Sequence, residues 1–143
     1  MAATLTVANS AIAMTTEALF PSAVALQGYA ADDAFETDAV ENGEFSMGID
    51  GNLSAGFVFN AVGLTVTLQA DSPSLDYFEQ IYMYEQENRT KLQQDITISI
   101  PGKGRRYDYV KGYMVSYKAP AGKKILQPGV VVFTFKRMQP SPL

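Results

Sequence analysis

A period of two in the apolar residues runs through most of this chain, and a single helical stripe interrupts it. In "EFSMGID" Phe45, Met47 and Ile49 alternate with Glu44, Ser46 and Gly48, and in "LSAGFVF" Leu53, Ala55, Phe57 and Phe59 alternate with smaller or polar residues. Such alternation sends successive side chains to opposite faces of a strand. A three-residue loop, Asp50-Gly51-Asn52, pairs Ile49 with Leu53, Met47 with Ala55 and Phe45 with Phe57, and draws its positive φ from Gly51 or Asn52. Carried on through "NAVG", that pairing sets Phe59 opposite Leu64, Phe57 opposite Val66 and Ala55 opposite Leu68, so three strands share one apolar face. The opposite face collects Glu44, Ser46, Ser54, Thr65, Thr67 and Gln69 with two glycines and Val58, and it carries no cation. Sheet faces bathed in water ordinarily carry Lys and Glu.

The interruption is "DSPSLDYFEQIYMYEQE". Ser72 is a natural N-cap with Pro73 at the first helical position, Asp71 and Asp76 suit the positive end of the dipole, and Leu75, Phe78, Ile81 and Tyr82 fall on one face. This predicts a helix over about 73–87. From Asp95 the period of two returns through Ile96, Ile98 and Ile100, turns at "PGKG", and continues in "RRYDYVKGYMVSYK", where Gly112 suggests a bulge. "GVVVFTFKRM" reads as a buried closing strand, and "AVALQGYA" and "AFETDAV" as two weaker strands near the front. The expected fold is mainly β with one α-helix: a β-sandwich or partly closed β-barrel flanked by the helix. One domain covers 1–143, divided into an N-terminal arm 1–23, a core 24–138 and a tail 139–143.

Composition removes most chemistry. The chain has no cysteine and no histidine, so thiol nucleophiles, thiolate metal sites and the commonest proton shuttle are missing. Asp32 and Asp33 are adjacent and read as an acidic loop rather than a catalytic pair. "GIDGNLS" lacks the distal acid of a calcium loop. "PGKGRR" and "PAGKK" lack the Ser or Thr of a phosphate loop and read as basic hairpin tips. The chain is expected not to be an enzyme, to need no cofactor or metal, and, lacking an apolar leader or span, not to insert in a membrane. Charge is split: residues 1–88 hold thirteen acids and no base, while residues 89–143 hold eleven bases and two acids, a net of −13 against +9. Either the halves neutralise each other inside one fold, or acidic and basic surfaces meet on neighbouring copies.

The succession "YAADDAFE", "SMGIDGNLSAGF" and "GLTVTLQADSPSLDYFEQIY", followed by C-terminal hairpins, resembles the tail tube proteins of contractile-tailed bacteriophages, which in turn resemble type VI secretion tubes. The likeness lies in order: Gly-x-Asp-Gly opening a hairpin, a Thr-alternating strand, Ser-Pro-Ser at a helix start, then Leu-x-x-Phe-x-x-Ile-Tyr, and it covers about Ala25 to Met138. The resemblance implies a structural virion protein, assembled in the host bacterial cytoplasm, whose hexameric rings close a larger β-barrel and stack into the channel that DNA traverses. It implies partners in the sheath, the baseplate and the tail terminator. A conduit should not bind phosphates, so Glu44, Ser46, Ser54, Thr65, Thr67 and Gln69 are the expected lumen residues. Acids Asp32, Asp33, Glu36, Asp38 and Glu41 are expected to meet bases Lys103, Arg105, Arg106, Lys123 and Lys124 of a neighbouring subunit. A secretion-type tube is one alternative. A carbohydrate- or ligand-binding sandwich using Tyr107, Tyr109, Tyr113 and Tyr117 as a stacking platform is another.

Overall fold

The computed structural model describes residues 10–27, 35–122 and 125–142. Among them the chain forms β1 (Ala11–Thr16), β2 (Phe20–Ala25), β3 (Phe35–Thr37), β4 (Gly43–Met47), β5 (Leu53–Phe57), β6 (Val62–Leu68), α1 (Leu75–Asn88), β7 (Gln94–Ile100), β8 (Arg105–Lys118) and β9 (Gly129–Pro142). Seven strands make one antiparallel sheet in the order β2-β1-β7-β8-β9-β6-β3, and β4 and β5 make a second sheet of their own. Mostly β with one helix is the expected class; the large sheet is curled but not closed. Its curl is visible where Thr37 Oγ1 and Tyr109 Oη come within 2.6 Å, although β9 and β6 lie between their strands.

The β8–β9 hairpin is the spine of the sheet, paired from Arg105↔Pro142 to Lys118↔Val130. Neither flank follows it for its whole length. On one side β7 pairs with Arg105 to Gly112, and on the other β6 pairs with Gly129 to Phe135. The sheet is therefore sheared. Among the described residues, no strand lies against Tyr113–Lys118 on the β7 side or against Lys136–Pro142 on the β6 side.

The concave face is the core. Alternate residues of β6 (Val62, Leu64, Val66, Leu68) and β9 (Val131, Phe133, Phe135) are buried there with Ile12, Met14, Ile96 and Ile98. Helix α1 lays Leu75, Phe78 and Ile81 on this face, with the Phe78 and Phe133 rings 5.9 Å apart. Each such side chain contributes about 1.5–3 kcal/mol on burial. The bulge expected at Gly112 falls at its neighbour, where Lys111 takes φ 52° and donates its N–H to Asp95. Gly112 itself is required by packing: a Cβ there would lie 2.1 Å from the Phe135 ring.

Five expectations need correction. The β4–β5 hairpin pairs Met47 with Leu53 and Phe45 with Ala55, two residues out of the expected register though with the same faces. The cause is the loop. Asp50 accepts hydrogen bonds from the Asn52 backbone and side chain, Gly48 N–H donates to Asn52 O, and Ile49 is drawn out of the strand into a wider turn with Gly51 at φ 85°. Strand β5 does not pair with β6, because both edges of β6 are already taken by β9 and β3. Residues 11–23 are not an arm: β1 and β2 belong to the sheet, and Ile12 and Met14 to the core. Nor are 139–142 a tail, since β9 continues through them. The helix begins at Leu75 rather than Pro73, after a tighter turn in which Leu75, Asp76 and Tyr77 N–H groups bond three residues back.

Candidate functional site

The feature that stands apart from the fold is the β4–β5 hairpin. Strand β3 runs toward Gly63 and β6 runs away from Val62, so the hairpin leaves the sheet at the Val62 end, toward Arg105 and Pro142. Its register places Phe45, Met47, Leu53 and Phe57 on one face. That face is uncovered: Phe45, Met47 and Phe57 keep 66%, 66% and 67% of their surface in solvent, and Phe59 beside them keeps 93%. An isolated two-stranded hairpin is marginal in water, and contiguous apolar patches on monomers are normally small and functional. The Phe57 and Phe59 rings stack edge to face at 5.0 Å, which holds the patch in shape. Together with β9 they line an apolar cleft of about 680 Å³, floored by Lys136, Arg137 and Met138.

A second cleft, of about 580 Å³, lies in the opposite half of the molecule, between the C-terminal half of α1 and the unflanked stretch of β8. Tyr82, Glu85 and Arg89 form one wall, Met114 to Tyr117 the other. Lys91 closes its floor by bonding both Glu85 Oε1 at 2.9 Å and the Met114 carbonyl at 2.7 Å, while Glu85 also accepts from Leu92 N–H. Arg89 ends the helix in the left-handed conformation. Tyr117 Oη donates to Glu79; burial first, and the Glu79 charge second, push its phenol up to about 12.

The expected lumen residues divide between two sheets. Thr65 and Thr67 stand on the convex face of the large sheet, and Gln69 follows β6 in solvent, while Glu44, Ser46 and Ser54 sit on the polar face of the hairpin. Strand register also puts Arg106, Lys118 and Lys136 on that convex face, so the cation-free stretch is confined to β6 and the hairpin. Of the charged residues expected between subunits, Asp32, Asp33, Lys123 and Lys124 lie outside the described residues. Glu36, Asp38 and Glu41 lie along β3 and the hairpin's root, and Lys103, Arg105 and Arg106 lie at the β7–β8 turn. Asp38 shares a cleft with Ile100 and Tyr107, which places both sets at one end of the same subunit. Lys103 leans on Tyr107, and Arg106 pairs with Asp108 at 3.4 Å.

The tyrosine platform is not formed. Tyr109 is buried, its phenol raised by that burial, and bonded to Thr37; Tyr107 and Tyr117 also turn to the core face, whereas Tyr113 points the other way. Sequence reasoning missed Ser72 and Ser74 as a clasp. Ser74 Oγ accepts from Gln27 N–H at 2.7 Å and Ser72 Oγ donates to Gln27 O, tying the end of β2 to the start of α1. Nothing in a Ser-Pro-Ser motif names a partner 45 residues away.

Residues 3–136 match the family described as tail fiber protein gp32. The chain belongs to that family. Among curated proteins no relative matches. The fold is shared with solved chains of contractile assemblies. One, from the sheath–tube complex of the extracellular contractile injection system PVC in its extended state, has 12% identity and a TM-score of 0.61 over 92% of this chain and 88% of that one. Another, from the baseplate of the anti-feeding prophage, has 9% identity and a TM-score of 0.56 over 94% and 93%. A third, from the cap that terminates the anti-feeding prophage tube, has 15% identity and a TM-score of 0.52 over 92% and 88%. The expected likeness to contractile-tail tube proteins therefore holds in fold.

Proposed function

We propose that this chain is a structural subunit of a contractile tail's inner tube, assembling as hexameric rings that stack into a hollow conduit. The observation that carries the reading is the β4–β5 hairpin: an arm with one apolar face and no cover from its own body needs a neighbour. The fold's relatives in sheath–tube, baseplate and cap assemblies support the same reading, and sheath, baseplate and terminator proteins are its partners. Edges of the open sheet join across subunits into a larger β-barrel, which removes the liability of unpaired strands. Thr65, Thr67 and Gln69, with the polar hairpin face of Glu44, Ser46 and Ser54, look into the bore, where the scarcity of cations on β6 lets DNA slide without phosphate binding. Glu36, Asp38 and Glu41 face Lys103, Arg105 and Arg106 side by side within a ring, the arrangement that suits charges gathered at one end of the subunit. The role is structural and the tail of a virion is its place.

Electron microscopy of the purified chain tests this. Annuli or tubes with a stain-filled bore are expected, and Phe45→Ser with Phe57→Ser should leave a folded monomer that forms neither. The family's description as a fiber supports a second reading, in which the same chain builds a thin rod; filaments without a bore would establish that one and remove the tube.

A further inference from the structure

The chain contains one Asn-Gly step, Asn42-Gly43, and it falls where the chain enters β4. We infer that Asn42 is a spontaneous modification site in the folded chain: the Gly43 nitrogen attacks the Asn42 side-chain amide, and the residue becomes aspartate or isoaspartate. Such chemistry needs no neighbour, so it stands whether or not the chain builds a tube. The hairpin's ladder leaves the nucleophile free. Val58 N–H donates to Asn42 O and Gly48 N–H to Asn52 O, so the hydrogen-bonded pairs fall at Asn42, Glu44, Ser46 and Gly48, and Gly43, opposite Phe57, turns its N–H to the outer edge. No strand lies on that edge among the described residues, and Gly43 has no side chain to block approach.

The electrophile is equally free. Among the described asparagines, Asn52, Asn60 and Asn88 commit their side-chain amides to Asp50, the Glu41 carbonyl and the Tyr84 carbonyl, whereas the exposed Asn42 amide has no such bond. Its main chain, just outside β4, is held through the Val58 contact, and one hydrogen bond is a small obstacle to the rotation that brings nitrogen and side-chain carbon together. Asn42 also lines the cleft floored by Lys136 and Arg137, whose charges favour the anion formed when the Gly43 nitrogen loses its proton. The chain's one Asp-Gly step, Asp50-Gly51, lacks these freedoms. Gly51 N–H is bonded to Gly48 O, and Asn52 holds the Asp50 carboxyl below its usual pKa and therefore ionised, a poor electrophile. In the reaction the Gly43 N–H gives its proton to hydroxide, its lone pair bonds to Asn42 Cγ, and the amide nitrogen departs as ammonia, leaving a five-membered succinimide. Water opens that ring at either carbonyl, with no oxidation or reduction. Both products add a carboxylate to an arm that already holds Glu41, Glu44 and Asp50 and no base, and isoaspartate also lengthens the main chain by a methylene at the arm's root.

The test incubates the purified full chain, still folded, at mildly alkaline pH. Isoaspartate is read by methyl transfer from S-adenosylmethionine with an isoaspartate methyltransferase, and its position by peptide mapping. Label is expected to build up at position 42, faster as pH rises, and to be absent at Asp50, Asn52, Asn60 and Asn88. Asn42→Gln, which keeps an amide but would need a six-membered ring, should abolish it. Lys136→Gln combined with Arg137→Gln should slow the folded chain several-fold and leave the rate in urea unchanged; both positions are exposed. Label that appears only in urea, or that spreads equally over the other asparagines, would overturn the site. Equal rates in the folded parent and the double variant would remove the part given to the two cations.

Discussion

At the level of single residues, the described core carries a polar misfit at Gln94 and Thr16. Gln94 is 1% exposed, and both its amide atoms lack a hydrogen-bond partner among the described residues, as does the Thr16 hydroxyl paired across from it. An unsatisfied buried amide costs about 1–3 kcal/mol. Gln94→Met is therefore expected to raise the monomer's unfolding free energy, measured by denaturant titration, by an amount in that range. Gly112→Ala should do the reverse. Its new methyl meets the Phe135 ring and the Thr134 carbonyl, and overpacking of this kind costs about 1–3 kcal/mol. Tyr117 sets a pH limit. Its folded-state pKa, about 12, is above the usual phenol value, so its contribution is complete below about pH 10 and is lost as pH climbs toward 12. Unfolding followed across that window should show stability falling, and Tyr117→Phe should flatten part of the slope. The sequence could suggest Gly112 as special, because glycine in an apolar strand invites a structural reason. Nothing in it marks Gln94, whose burial depends on Thr16 and Gly112 arriving beside it from distant strands.

Elements were legible wherever one face decided their pattern. Strand β8 matches the "RRYDYVKGYMVSYK" run end to end, and of the expected helical stripe Leu75, Phe78 and Ile81 are buried while Tyr82, at its edge, is exposed. Pairing was less accessible. Periodicity assigns Phe45, Met47, Leu53 and Phe57 to a common apolar face but is silent on whether that face meets the core or another molecule. The expectation that β5 adds to β6 followed chain order, while the actual partner, β9, lies more than sixty residues downstream and offers Val131, Phe133 and Phe135. The hairpin's independence has a measurable consequence. Replacing residues 43–57 with a short Gly-Ser linker should leave the thermal transition of the body nearly unchanged, because no hairpin residue joins the buried cluster. Were the hairpin integral to the core, the same replacement would collapse the transition.

Across the whole molecule, charge separation along the chain becomes a separation in space only in part. Acids and bases lie together at the β3 and β7–β8 end, whereas the arm remains purely acidic. Exposed pairs are individually weak and screened, so apolar contact must supply most of the cohesion. Sedimentation at rising salt is accordingly expected to show a several-fold higher protein concentration required for assembly, with tubes still forming above it; complete insensitivity to salt would remove the electrostatic share. The sheared spine leaves one further consequence. A polymer built by an arm reaching into its neighbour is directional: its leading end displays empty sockets or bare arms, never both. Whatever starts such a polymer and whatever stops it must therefore be unlike each other in shape, one offering a plug and the other a receptacle, and length control can act at either extremity without disturbing the other.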